Sequence, residues 1–294
     1  MLTIFSVPKP FRGDIGLIQR NAIQSWLRLS PSCEVLLLGE EEGTAQAVAE
    51  FKIRHEPHLV CNEYGTPLVS DLFEKAHRLA TQNMLCYVNS DIILLSDFVK
   101  AVQRIPFKRF LMVGQRWDIN LKALWDFEQP TWEALLREYV VGHGTLHPPA
   151  GSDYFVFPHN DDMGEIPPFA IGRPGWDNWF IYRARKLSIP VIDATKVVTV
   201  IHQNHDYRHV LNHNGEAWEG PEADRNRDLM GGYECAFTLL DATHIMTQRA
   251  VRTARGYKYQ RKRWQTLSLP IPRIRTFVQF LHRVGDFFRF RSGS

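Results

Sequence analysis

The sequence predicts an α/β protein with a mostly parallel central sheet, and two observations carry this prediction. Short apolar runs of high β propensity alternate with segments of helical periodicity over roughly the first hundred residues. These runs are apolar at successive positions, which is typical of strands covered by helices on both faces and not of a half-exposed sandwich. Apolar residues make up 44% and charged residues 23% of the chain, which excludes an intrinsically disordered protein.

The first half of the chain contains the regular part of this pattern. Strands are predicted at residues 3–7, 34–39, 53–55 and 84–95, and helices at residues 14–29, 44–51 and 70–81. Asp14 and Ser96 precede helical patterns and are predicted N-caps. Ligands of parallel sheets bind beyond the carboxyl ends of the strands. The loop after Val7, the turn at Gly39 and the segment 89–91 are therefore expected at one edge.

The second half is less regular. Strands are predicted at 109–113 and 153–157, with one or two more in 191–202, and helices at 131–141 and 179–187. The loops between them, 142–151, 158–175 and 204–220, are rich in aromatic, glycine and proline residues. Long irregular segments of this kind are typical of functional or mobile loops.

Composition excludes several classes of protein. No apolar run approaches the roughly 18–20 residues that span a bilayer. The N-terminus has no basic region or cleavage site, so no signal peptide is expected. The four cysteines are scattered without a Cys-x-x-Cys pair, which indicates reduced thiols in a cytoplasmic protein and no cysteine zinc site. They are Cys33, Cys61, Cys86 and Cys235.

The segment Asn89-Ser90-Asp91 interrupts a run that is apolar on both sides. Polar groups at the end of a buried strand are costly unless they are bonded or liganded. A carboxylate there, beside an amide, can hold a hard divalent ion that also binds phosphate oxygens. An Asx-type turn that caps the strand would use the same residues.

Asp177 lies between Trp176 and Trp179, at a predicted helix start after a Gly-Arg-Pro-Gly turn. It could be an N-cap. Alternatively, it is a carboxylate on an aromatic rim of the kind that binds sugar rings, where desolvation would make it a general base for an acceptor hydroxyl.

Two histidines follow the last predicted strand. His202 and His205 are candidate metal ligands, with Asp206 as a residue that orients them. Histidines at strand ends also occur as structural residues, and the pattern leaves both interpretations open. His209 and His213 lie in a polar loop and receive no role.

These motifs, in this order along residues 1–210, resemble those of GT-A fold glycosyltransferases, family 2-like. The segment at 89–91 is similar to the Asp-x-Asp element, with asparagine in place of the first aspartate. Trp176-Asp177 resembles the acid-bearing motif on the acceptor side of inverting members, and His202 falls where many members carry a metal-binding histidine. The resemblance implies a Rossmann-like catalytic domain at 1–245, with a nucleotide-binding half at 1–115 and an acceptor-binding half at 116–245.

The resemblance also implies roles for individual residues. Asp91 and His202 would hold Mn²⁺ or Mg²⁺ on the diphosphate of a UDP- or GDP-sugar, and Asp177 would deprotonate the acceptor. The residues assigned to the nucleotide and donor sugar are Ser6, Val7, Pro8, Gly65, Thr66, Ser70, Asn89, Ser90 and Asp91. Those assigned to the substrate side are Asp153, Tyr154, Arg173, Trp176 and Asn178.

Two departures from the family pattern matter. Asn89 removes one negative charge from the metal site, so weak or absent metal binding is one alternative. Asp153 is a second carboxylate near the same edge and is expected to bind donor-sugar hydroxyls. If it faced the anomeric carbon instead, a retaining mechanism would replace inversion by Asp177.

The C-terminal segment 246–294 is a basic, aromatic and helical tail in this interpretation. From Arg249 onward there are twelve basic residues and one acid, a net +11, so the remainder carries −8 within the total of +3. An amphipathic stripe after Pro272 comprises Ile274, Phe277, Val278, Leu281, Val284 and Phe288. It suits an anionic membrane surface, although packing on the catalytic domain or on a second subunit is equally compatible. Nucleic acid is the least favoured partner because no binding motif is present.

The sequence therefore predicts transfer of a sugar to a hydroxyl of a glycan or lipid-linked acceptor, as in polysaccharide biosynthesis. The expected location is cytoplasmic, with a peripheral position on the inner membrane face as an alternative. One rival is a metal-dependent nucleotidyltransferase, but the loop with Lys9, Arg12 and Gly13 is a poor match to a glycine-rich phosphate loop. The other is a non-catalytic nucleotide-sugar-binding protein.

Overall fold

The computed structural model describes residues 1–160, 163, 165–205 and 219–266. Their strands are β1 (Leu2–Ser6), β2 (Glu34–Leu38), β3 (Arg54–Glu56), β4 (Met84–Val88), β5 (Ile92–Leu94), β6 (Leu111–Val113), β7 (Trp117–Ile119), β8 (Thr145–Leu146), β9 (Tyr154–Pro158), β10 (Val191–Asp193), β11 (Val200–Gln203), β12 (His244–Met246) and β13 (Val251–Thr253). Their α-helices are α1 (Gly13–Leu27), α2 (Thr44–Phe51), α3 (Val69–Leu79), α4 (Ser96–Gln103), α5 (Trp132–His143), α6 (Trp176–Lys186), α7 (Pro221–Met230) and α8 (Tyr257–Thr266).

The large sheet has the strand order β3-β2-β1-β4-β9-β6-β10-β12-β13. Strands β3, β2, β1 and β4 are mutually parallel, and β10 is parallel to β6 and β12. Strand β9 runs antiparallel between β4 and β6, and β13 is antiparallel at the edge. The prediction of an α/β fold with a mostly parallel sheet is therefore confirmed.

Apolar layers cover both faces of this sheet, as the continuous apolar runs predict. Phe5 and Tyr87 belong to one layer with Phe73 of α3, and the Phe5 and Phe73 rings lie 5.2 Å apart, edge to face. Ile4 belongs to the other layer with Trp26 of α1. Neighbouring strand residues thus alternate between two helical layers, because successive side chains of a strand point to opposite faces.

A second sheet, with the order β5-β11-β7-β8, positions residues of the second half against the end of β4. Strand β11 is antiparallel to β5 and parallel to β7. In this register, His202 pairs with Ile92 on one side and with Asp118 on the other. Because Asp91 directly precedes Ile92, strand pairing brings Asp91, His202 and Asp118 to one place.

The two predicted N-caps are wrong. Helix α1 begins at Gly13 with Arg12 in the cap position, and Asp14 lies in the first turn, where its charge still favours the helix N-terminus. Helix α4 begins at Ser96 itself, with Leu95 as the cap. The Ser96 hydroxyl donates to Glu133 Oε1 at 2.7 Å, because α5 packs close enough to offer a stronger acceptor than the helix backbone.

Residues 251–266 add the edge strand β13 to the large sheet and the helix α8 that packs on the domain. Strand β13 pairs with β12, and side-chain hydrogen bonds join α8 to the domain. Tyr259 Oη donates to Asp193 Oδ2 at 2.6 Å, and Thr266 Oγ1 donates to Asp241 Oδ1 at 3.1 Å. The predicted stripe from Ile274 to Phe288 lies outside the described residues. Among the described helices, none combines the length and the apolar character needed to cross a membrane.

Candidate functional site

Asp91 follows β4, and Lys9 follows β1, the parallel neighbour of β4. The ends of the two strands are tied together, since Ser6 Oγ donates to the Val88 carbonyl at 2.6 Å. Asp91 is only 5% exposed, and Lys9 Nζ lies 3.5 Å from its Oδ2 atom. The carboxyl edge of the sheet therefore carries a buried carboxylate beside an ammonium group.

Both candidate histidines lie against Asp91. His205 Nε2 is 3.0 Å and His202 Nε2 is 3.9 Å from Asp91 Oδ2. One ligand atom from each of these three residues lies within 4.8 Å of the other two. The fold thus brings together the predicted metal residues Asp91 and His202 with the open candidate His205. Asp206, the suggested orienting residue, lies outside the described residues.

The donor set fits a divalent cation. Within the described ranges, Asp91 Oδ1 is buried and accepts no hydrogen bond, although buried carboxylate oxygens are costly to leave unsatisfied. One carboxylate and two imidazoles also form a mixed oxygen and nitrogen set that suits ions such as Mn²⁺. The residues present could therefore satisfy that oxygen by coordination.

Asp91 is held in its charged form. Burial alone raises the pKa of a carboxyl group, but the charge of Lys9, the hydrogen bond from His205 and the nearby His202 outweigh it. Together they hold the pKa of Asp91 well below its ordinary value. The carboxylate is thus available as a ligand throughout the physiological pH range.

Asp118 lies directly beside His202, and sequence reasoning missed it. Its Oδ1 atom lies 3.1 Å from His202 Nδ1, which leaves Nε2 facing Asp91. Its Oδ2 atom lies 2.8 Å from His147 Nδ1, and Arg116 Nε donates to Oδ1 at 2.8 Å. Burial raises the pKa of Asp118, but these three partners lower it further than burial raises it. Carboxylates behind ligating histidines fix the ring orientation and the tautomer.

Asp118→Asn is expected to weaken Mn²⁺ binding about 10- to 100-fold, because the amide cannot hold the His202 ring in the same charged contact. Isothermal titration with Mn²⁺ measures this change directly. Asp126→Asn, at an exposed position, is the matched control and should bind like the wild type. Equal Mn²⁺ affinities for the wild type, Asp118→Asn and Asp126→Asn would contradict the role of Asp118.

Asp153 lies directly before β9, beside the end of β4, and forms an ion pair with Arg116. Arg116 Nη1 donates to both carboxylate oxygens at 2.6 Å. Asn89 Nδ2 also donates to Asp153 Oδ1 at 2.9 Å, and Tyr87 Oη donates to Asn89 Oδ1 at 2.7 Å. Both ends of the Asn89 amide are thus engaged within the protein, and Asp153 is neutralised by a guanidinium group.

Asp177 lies in the first turn of α6 and is half-buried. Burial raises its pKa most, and the nearby negative charge of Asp153 adds to this effect. Backbone hydrogen bonds from Asn178 and Ser152 oppose the rise, and the resulting pKa is about 6. A carboxyl group with this pKa is well matched to proton transfer near neutral pH. Sequence reasoning found this residue from its aromatic and glycine-rich surroundings.

Three residues predicted for the substrate side contact the core or the start of α6. Tyr154 is 1% exposed and packs edge to face on Phe98 at 5.2 Å, in the core layer under α4. Trp176 is 6% exposed and packs on Tyr87 at 5.0 Å. Asn178 Nδ2 donates to the Phe237 carbonyl at 2.7 Å. The structure therefore places Tyr154 in the core, while Trp176 and Asn178 pack at the start of α6.

Arg173 is joined to the segment that contains Gly65 and Thr66. Its Nε donates to Glu222 Oε2 at 3.0 Å, and Asn62 Nδ2 donates to Glu222 Oε1 at 2.7 Å. Asn62 in turn accepts a hydrogen bond from the Thr66 amide at 3.0 Å. Arg173 thus forms an ion pair with Glu222 of α7.

The other residues assigned to the nucleotide lie on α3 or near the core. Ser70 lies on α3, Val7 packs against the core, and Pro8 and Ser90 are buried.

No protein-family profile matches the chain, and no curated protein matches it. Among solved structures, the chain is similar to TarS 1-349 from S. aureus in complex with UDP-GlcNAc, with a TM-score of 0.49 and 13% identity over 78% of this chain. It spans 64% of that TarS chain. It is also similar to glucosyl-3-phosphoglycerate synthase from Mycobacterium tuberculosis in complex with Mg²⁺ and UDP, with a TM-score of 0.44 and 12% identity, covering 79% of this chain and 80% of the other.

Proposed function

We propose that this chain is a glycosyltransferase that moves a sugar from a nucleotide-diphosphate donor to a hydroxyl acceptor. The observation that carries the proposal is the buried donor set of Asp91, His202 and His205 beside Lys9, at the carboxyl edge of the sheet. Anionic ligands of α/β sheets bind at this edge. A cation site next to an ammonium group suits the two phosphates of a nucleotide-sugar.

Asp91, His202 and His205 would hold Mn²⁺ or Mg²⁺ in this proposal. The bound ion would neutralise negative charge on the departing diphosphate. Lys9 would donate to a phosphate oxygen, because its side chain is 31% exposed and its ammonium group reaches the same carboxylate as the histidines. Asp118 would keep Nε2 of His202 directed toward the site.

Asp177 would act as the general base. Its carboxylate would accept the proton of the acceptor hydroxyl while the acceptor oxygen bonds to the anomeric carbon and the bond from that carbon to the phosphate oxygen breaks. This direct displacement inverts the anomeric configuration. The pairing of Asp153 with Arg116 supports inversion, because a carboxylate held on both oxygens by a guanidinium is a poor nucleophile. A glycan or a lipid-linked sugar is the acceptor class that we propose, with the protein acting in the cytoplasm.

A metal-dependent nucleotidyltransferase is the second candidate, and one observation favours it. Lys9 follows the first strand and reaches the carboxylate at the sheet edge, as a phosphate-binding lysine of such an enzyme would. The two reactions release different products. A nucleotidyltransferase releases pyrophosphate from a nucleoside triphosphate, whereas a glycosyltransferase releases a nucleoside diphosphate from a sugar nucleotide.

A thermal-shift panel tests the proposal. UDP, GDP, UDP-GlcNAc, UDP-glucose, GDP-mannose and nucleoside triphosphates are added with and without Mn²⁺ or Mg²⁺. A ligand at 100 times its Kd stabilises the native state by roughly 2.7 kcal/mol, so we expect a clear rise in Tm for a sugar nucleotide with metal. Release of nucleoside diphosphate from the same ligand then establishes turnover. Stabilisation by triphosphates alone would favour the second candidate, and binding without turnover would favour a non-catalytic protein.

A further inference from the structure

Helix α8 and residues 249–256 before it expose basic and aromatic side chains, here together called the α8 face. All of its residues are exposed: Arg249, Arg252, Arg255, Tyr257, Lys258, Arg261 and Trp264. Between residues 249 and 266 the chain has seven basic residues and no acidic ones, whereas the part before residue 249 carries −8. The α8 face is thus a concentrated positive patch on a body of opposite charge.

The exposed aromatic residues of the α8 face, Tyr257 and Trp264, do not pack α8 onto the domain. Tyr259 and Thr266 anchor α8 from its inner side, by the hydrogen bonds to Asp193 and Asp241. On the outer side, Tyr257 is 79% and Trp264 is 70% exposed. Helix packing is therefore satisfied without them, and two large rings remain directed toward solvent.

The spacing aligns the exposed rings with positive charge. Tyr257, Arg261 and Trp264 stand at positions i, i+4 and i+7 of α8, so they form one stripe along the helix. The seven-residue separation places the two rings about 10 Å apart along the axis, at 1.5 Å per residue. Lys258 directly follows Tyr257, and Arg252 and Arg255 in the segment before α8 are also exposed.

We propose that the α8 face binds an anionic lipid bilayer, with α8 lying along the surface. Tryptophan and tyrosine rings favour the headgroup level of membranes, and basic side chains contact lipid phosphates. A flat stripe with aromatic residues at both ends and arginine between them presents both groups to one plane. The inference goes beyond the proposed transfer reaction and does not depend on it.

Flotation of the full-length protein with vesicles tests this surface. Vesicles of 30% phosphatidylglycerol in phosphatidylcholine are compared with phosphatidylcholine alone, at low and high salt. The α8 variant combines Tyr257→Ser, Lys258→Gln, Arg261→Gln and Trp264→Ser. We expect the wild type to float only with anionic vesicles, and the variant to partition at least about tenfold less, since each basic residue near such a surface contributes severalfold to binding.

A control variant removes the same number of charges and apolar groups elsewhere. Lys108→Gln, Lys122→Gln, Val141→Ser and Tyr233→Ser are all at exposed positions, with Val141 84% and Tyr233 79% exposed. It should float like the wild type, and both variants should keep the wild-type Tm.

Three outcomes would overturn the proposal. The first is equal flotation of the α8 variant and the wild type, and the second is equal binding of the wild type to neutral vesicles. The third is binding to a single-stranded oligonucleotide, measured by fluorescence anisotropy, that is tighter than binding to anionic vesicles and is lost in the α8 variant. None of these results would bear on the proposed transferase, which the nucleotide-sugar panel tests separately.

Discussion

Asp91→Asn is expected to abolish metal-dependent nucleotide binding and to lower turnover by about 10²–10³ or more, the range for loss of a group that stabilises developing charge. Asp91 is the one carboxylate among the three donor residues, and it contacts His202, His205 and Lys9. Asparagine keeps the shape of the side chain but removes the negative charge. The measurements are Mn²⁺ titration and the thermal shift given by a sugar nucleotide with and without metal.

His205→Ala provides a graded comparison for Asp91. It removes one neutral donor and leaves the carboxylate with His202, so metal binding should weaken but persist. Asp126→Asn, at its exposed position, should behave like the wild type in every assay. If Asp91→Asn kept the metal-dependent thermal shift at wild-type size, the proposed cation site would be wrong.

Asp177→Asn is expected to lower kcat by about 10²–10⁴, the usual contribution of a general base, while donor affinity stays unchanged. Asparagine preserves the hydrogen-bond acceptor for the Ser152 and Asn178 amides but cannot take up a proton. Initial-rate kinetics separate the two effects. A large loss of donor affinity with normal kcat would instead assign Asp177 to the binding of the nucleotide-sugar.

The pH dependence of the rate gives a second test of Asp177. A base must be deprotonated, and the pKa of Asp177 is about 6. The wild-type kcat/KM should therefore be level above this pH and fall tenfold per unit below it. The residual rate of Asp177→Asn should lack this acidic limb.

The free energy of unfolding should also depend on the protonation of Asp177. It should fall with rising pH, whereas the rate should rise. The pKa of Asp177 is raised from 3.8 to about 6 in the native state, so the native state binds more protons than the unfolded state between these values. The free energy of unfolding then decreases as pH rises through this window, by up to about 3 kcal/mol at 1.36 kcal/mol per pKa unit. Above pH 6, Asp177→Asn should consequently raise Tm. A lower Tm for the variant at pH 8 would contradict this account.

Much of the fold could be predicted from sequence because its signals are local. The apolar runs that became β1, β2 and β4 identified a sheet covered on both faces, and Asn89-Ser90-Asp91 stood out because it interrupts one of them. Helix α6 begins three residues earlier than its predicted start at Trp179, so Asp177 lies within the first turn. Helix ends are decided by packing and by competing acceptors, as the contact between Ser96 and Glu133 illustrates.

Only some residues of the candidate site could be predicted from the sequence. Lys9, Arg116, Asp118 and His147 carry no local pattern, and each acquires its place only through contacts across the fold. Asp118 meets His202 because β7 and β11 pair in register, although 84 positions separate them along the chain. Tyr154 was predicted for the substrate side, but the structure buries it in the core. Successive side chains of a strand point to opposite faces, and its neighbour Asp153 contacts Arg116 instead.

By itself, the sequence determined the class of the sheet, the strand that ends at the candidate cation site and the segments that carry its carboxylate and histidines. These follow from hydrophobic periodicity and from the cost of polar groups in apolar runs, which act over a few residues. Only the tertiary structure decided which charges face one another. The charge state of Asp91, the raised pKa of Asp177 and the outward face of α8 depend on distances of a few ångströms between distant segments, because Coulomb interactions and desolvation are set by spatial proximity.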